Sequence, residues 1–200
     1  MSYEIHEIGT STIEKTTPGV QASETITHSN DITVSDYTEG TDDIKISNDY
    51  SENEYSIAQS FTESSTFNAT TVSLNIVKAS ENYDDKEFTI SICEDHTTPG
   101  TPGAVLTTKT FTLADLATTA GNVEFTMDND EITLSGATDL WIKVDLPAMP
   151  TGEGFLVKGD ESAASAMLAK DGDEDWSAVT DTLFHYSIVD FAEDESIEFS

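Results

Sequence analysis

Apolar and polar side chains alternate along residues 56–62, 71–78, 87–93 and 104–111. Val72, Leu74 and Ile76 form one such set, and Phe88, Ile90 and Ile92 another. A period of two places each set on one face of a half-buried strand. Between the runs stand Asn82-Tyr83-Asp84-Asp85 and Thr98-Pro99-Gly100-Thr101-Pro102-Gly103, residue types that favour turns and interrupt both helix and sheet. The same reading predicts strands over 122–127, 131–134, 139–146, 154–158, 165–169 and 182–191. Leu140, Ile142, Val144 and Leu146 are expected to face the core, leaving Trp141, Lys143 and Asp145 on the other face. In the last strand Phe184, Tyr186 and Ile188 look inward and His185 and Ser187 outward. The only helical candidate is a single turn over 113–117. Short strands at this spacing predict an all-β fold, an antiparallel, jelly-roll-like β-sandwich.

The first 54 residues read differently. Their apolar residues come in twos, Ile5 with Ile8, Ile32 with Val34, Ile44 with Ile46, too few for an independent core. The expectation is an extended N-terminal docking arm over 1–54 and a sandwich over 55–200. An unpaired strand edge is a template for association, so these six residues are expected to dock by strand addition onto neighbouring subunits, giving a homo-oligomer.

Composition narrows the setting. Acidic residues number 39 against 8 basic ones, for a net charge of −31. Every basic residue is a lysine, and so few cations among so many carboxylates argue against nucleic-acid partners, because phosphate recognition begins with neutralising Lys and Arg. Self-repulsion on this scale strains a compact fold in dilute buffer, whereas at molar salt the screening length shrinks to about 3 Å. The chain therefore fits concentrated brine. Hydrophobic residues still make up 36%, which is more than an acidic disordered chain carries. Cys93 is the one cysteine; no disulfide forms within the chain, and the thiol is expected to sit buried as a small hydrophobe. No apolar run approaches membrane-span length, so no membrane insertion is expected. The N-terminus carries no basic-then-apolar signal segment, and the expected route out of a cell is release with an assembled particle.

The order of signals from 55 to 191 resembles a β-sandwich module of bacterial and archaeal surface proteins and of viral fibre and head-decoration proteins. The resemblance rests on Ala58-Gln59-Ser60-Phe61-Thr62, on Thr71 to Leu74, and on the Pro-Gly turn and Val-Leu strand of Thr98 to Leu106. It continues in Ser135-Gly136-Ala137-Thr138-Asp139 ahead of Leu140-Trp141-Ile142, and in Asp171-Gly172 through Trp176 to Leu183-Phe184. Residues 1–54 lie outside it. It implies a carbohydrate-binding, adhesive or virion-structural role and brings no catalytic residues.

Several residues invite a specific role, each beside an ordinary structural one. Asp171, Asp173 and Asp175, with Glu174 among them, place carboxylates at alternate positions, a spacing that wraps a calcium ion, or they form a solvated acidic loop. No other cofactor is indicated. Trp141 and Trp176 are platforms for sugar rings, interface anchors, or core. Asn68-Ala69-Thr70 is a glycosylation sequon at Asn68. The histidines are scattered, and no acid, base and nucleophile set can be assembled, so no enzyme is expected. The resulting expectation is a structural virion protein of a halophilic archaeal tailed virus, on capsid or tail as decoration, turret or fibre. It would meet other virion proteins and a host-surface glycan. The alternative is an extracellular carbohydrate-binding or adhesive module at a cell envelope.

Overall fold

The computed structural model describes residues 25–26, 30–40, 42–47, 54–78, 83–96, 100–116, 118–119, 121–149, 154–162, 166–172, 175–192 and 197–198. Of the candidate residues, Ile5, Ile8, Asp173 and Glu174 lie outside the described ones. The chain divides into two units, residues 1–32 with 191–200, and residues 33–190. In the first, β1 (Thr25–Ile26) pairs antiparallel with a strand over Ile197–Glu198.

In chain order the strands that follow are β2 (Asn30–Tyr37), β3 (Asp42–Ser47), β4 (Tyr55–Glu63), β5 (Phe67–Leu74), β6 (Ile76–Lys78), β7 (Glu87–Asp95) and β8 (Pro102–Thr112). After a 3-10 turn at Leu113–Asp115 come β9 (Val123–Ile132), β10 (Thr138–Leu146), β11 (Gly154–Asp160), β12 (Met167–Asp171), β13 (Ser177–Val179), β14 (Leu183–Phe184) and β15 (Tyr186–Ala192). One layer is a six-stranded sheet in the order β13-β12-β4-β10-β7-β8. The other holds β2-β15-β5-β9 and β14-β11-β3, with β6 also on β11. Every pairing with a determined register is antiparallel. The fold is the expected all-β sandwich, and the helical candidate is reduced to the 3-10 turn, in which Leu113 is buried.

The inward sets meet as predicted. Ile57, Phe61, Val72, Leu74, Phe88, Ile90, Ile92, Leu140, Ile142, Val144, Phe184 and Ile188 belong to one buried cluster. Phe88, Phe111 and Phe125 stack within it at centroid separations of 4.9–5.7 Å, the range favoured by aromatic pairs. One polar side chain crosses this core: Gln59, 3% exposed, accepts the Phe184 N–H from the opposite layer at 2.8 Å. A buried amide is tolerated only with such a partner.

The differences from the sequence reading are local. Residues 131–134 form no separate strand, because β9 runs unbroken to Ile132. The run 71–78 breaks at Asn75, where the strand changes partner: Leu74 faces Tyr186, and Ile76 faces Val157. The Lys158 main chain sits at this junction, donating its N–H to Asn75 O at 2.9 Å and accepting from His185 N–H at 2.8 Å. Gly159 is required next to it, because a Cβ there would stand 1.9 Å from Leu183 O. Part of the expected arm is built into the sandwich. Residues Asp42–Ser47 pair along β11, with Ile44 facing Val157 and Ile46 facing Phe155; Ile44 is 5% exposed within the core, and Val34 packs against it.

The open side between β8 and β9 is closed by polar contacts, Thr107 Oγ1 donating to Asp130 at 2.9 Å and Lys109 pairing with Asp128 at 2.6 Å. A charged lysine on the edge strand and the irregular register after Ile92 both discourage edge-to-edge pairing there.

Candidate ligand-binding face

The face of the six-stranded sheet turned away from the core is built in cross-strand rows. One row runs Lys170, Ser56, Asp145, Thr89, Thr110 across β12, β4, β10, β7 and β8; the next runs Leu168, Ala58, Lys143, Ser91, Thr108. The rows are knitted by hydrogen bonds. Ser56 Oγ donates to Asp145 Oδ1 at 2.6 Å, Lys143 Nζ pairs with Asp145 Oδ2 at 2.8 Å, Ser91 and Thr108 hydroxyls lie 2.9 Å apart, and those of Thr89 and Thr110 3.3 Å.

A groove of about 540 Å³ follows the first row and meets the second at Lys143, lined among others by Ser56, Thr89, Lys143, Asp145, Lys170 and Trp176. Its lining offers ammonium and hydroxyl donors, carboxylate acceptors and one aromatic face. This mixture suits a ligand carrying many hydroxyls and an apolar ring face.

Beside the polar rows lies a second, smaller apolar cluster of Ala58, Cys93, Trp141 and Leu168, with half-buried Trp176 packed on it. Trp141 does point away from the main core, as predicted, yet it is only 5% exposed. Its indole N–H donates to Asp95 Oδ1 at 2.9 Å, and the same oxygen accepts the Gly100 N–H at 3.1 Å. The indole is thus covered rather than an open platform, and it does not line the groove; Trp176, packed on the same cluster, is the indole that does.

No protein-family model matches the chain, and no curated protein matches it. The site must therefore be read from its own geometry.

The other candidates are placed as follows. Asp171 ends β12 and faces Tyr55 across the sheet, whose phenol is pushed up by burial and by the Asp171 charge. Asp175 is exposed, and among the described residues no group of three or more His, Cys, Asp or Glu is placed to hold a metal ion. Asn68 is half-buried on β5, opposite Glu131. Ile32 is 53% exposed on β2. Lys170, Ser56 and Thr89 carried no functional signal in the sequence. Each is unremarkable alone, and only strand register sets them in one row with Asp145.

Cys93 is fully buried, as expected. Burial pushes its thiol from 9.0 up to about 11, while Lys143 lowers and Asp145 raises it. A thiol that ionises later in the folded state stabilises the fold fully below about pH 9 and loses that contribution as pH rises to about 11. Thiol-directed alkylation of the native protein at pH 8 is expected to be slow, and to become fast on unfolding by denaturant. Equal rates in both states would contradict this burial.

Proposed function

We propose that the protein is a structural virion protein of a halophilic archaeal virus, displayed on capsid or tail and exposed to concentrated brine. The observation that carries this reading is the charge of −31 on a sandwich with an ordinary apolar core. Carboxylates lie exposed along its strands and loops, Asp43, Asp84, Glu87, Glu94, Asp128 and Asp139 among them. Such a surface keeps particles soluble and apart where salt suppresses long-range repulsion. Assembly through the N-terminal segment has support from β2, which stands at the end of its sheet order with Ile32 exposed. Immunogold labelling with antibody against residues 55–191 tests the reading. Gold on particles from the source culture supports it, and gold confined to the cell envelope overturns it.

A second reading, a carbohydrate-binding module, is favoured by the groove. Hydroxyl rows beside a half-buried indole match the alternating polar and apolar surfaces of a sugar ring. The two readings are compatible in a particle that grips a host-surface glycan.

A further inference from the structure

Among the described residues, the groove contains one lysine that the fold leaves without a carboxylate. Asp145 is satisfied by Ser56 and Lys143. The lysines whose side chains are described are otherwise held: Lys78 by Asp84 and Leu113 O, Lys86 by Ala148 O, Lys109 by Asp128, Lys143 by Asp145, Lys158 by Asp43. Lys170 has no ion pair or hydrogen bond with a described residue. It stands at the head of the hydroxyl row, in the same groove as Trp176. The groove's own carboxylates do not take it: Asp145 is held by Ser56 and Lys143, and neither Glu54 nor Glu87 forms an ion pair with Lys170, so its ammonium is available to an acid brought by a ligand.

We propose that the groove binds an acidic sugar, a uronate, whose carboxylate pairs with Lys170 Nζ while its ring lies on Trp176 and its hydroxyls meet Ser56 and Thr89. This deepens the carbohydrate-binding reading and rests on it. Glu54 and Glu87, also in the lining, take hydroxyl donors from neighbouring sugar units. The overall negative charge does not forbid an anionic ligand. At molar salt the field of distant carboxylates is screened within about 3 Å, whereas a contact pair hydrogen-bonded inside a groove survives in part. Charge recognition in brine therefore depends on a group such as Lys170 and not on the surface potential.

The test is calorimetric titration of the full chain, at neutral pH and about 1 M KCl, with hexagalacturonate and with its fully methyl-esterified form. The ester keeps ring and hydroxyls and removes only the charge. The acid is expected to bind about tenfold more tightly than the ester, the difference between an ion pair with Lys170 and a hydrogen bond from its ammonium to a neutral carbonyl. Lys170→Gln is expected to abolish that preference, lowering the affinity for the acid far more than that for the ester. Lys109→Gln, on the edge strand and paired with Asp128, is expected to preserve it. If both sugars bind equally, or the preference survives Lys170→Gln, the uronate assignment is overturned and the carbohydrate reading stands. If neither binds, both are overturned.

Discussion

Removal of residues 1–50 is expected to unfold the protein, whereas removal of residues 1–29 is expected to leave a folded sandwich that no longer assembles. The longer truncation deletes β2 and β3. It takes Ile44 out of the core and strips the partner from the β11 edge between Gly154 and Gly159. Loss of one buried isoleucine side chain costs about 2–5 kcal/mol. Six unpaired ladder positions add to this, against a total stability of about 5–15 kcal/mol for a domain of this kind. The shorter truncation ends just before β2 and spares every residue in the core cluster. Urea unfolding in molar salt, followed by tryptophan fluorescence, separates the two. A common midpoint would mean that residues 30–50 add nothing to the sandwich. Light scattering of the shorter truncation reads assembly; an unchanged mass would sink the docking role of residues 1–29 and leave β2 alone to carry it.

Replacing Trp141 by alanine is expected to cost about 3–5 kcal/mol, the range for deleting a buried tryptophan. The indole fills the space among Ala58, Cys93 and Leu168, and its N–H partners the Asp95 carboxylate that also holds Gly100. Alanine leaves a cavity in this cluster and removes one donor from Asp95. Trp141→Phe keeps most of the apolar volume and is expected to cost less. A surface platform would behave in the opposite way, losing ligand affinity with little loss of stability. Denaturation midpoints of the two variants decide between buried packing and platform; near-wild-type stability of Trp141→Ala would restore the platform.

Much of the sandwich was legible in one dimension. The outward placement of Trp141, Lys143 and Asp145 followed from their alternation with Leu140, Ile142 and Val144, because a strand's side-chain period is fixed by its backbone. The buried state of Cys93 was likewise predicted from its residue type. The exposure of Trp141 was not legible, since an outward side chain is open or covered according to what the neighbouring strand carries. Here Ala58, Cys93 and Leu168 cover it. The role of residues 42–47 was missed for a related reason: two isoleucines cannot make a core, but they can join one, and the sequence does not name the partner.

The groove lies at the far end of this scale. Lys170 and Asp145 are 25 residues apart in the chain and meet in one row only because β12 and β10 both pair with β4. The sequence by itself determined the strand periodicity, the inward set and the acidity, because these depend on each residue and its near neighbours. Register, partner exchange at Asn75 and the lack of a carboxylate partner for Lys170 among the described residues were decided by the tertiary structure alone, because each depends on which distant strands share hydrogen bonds.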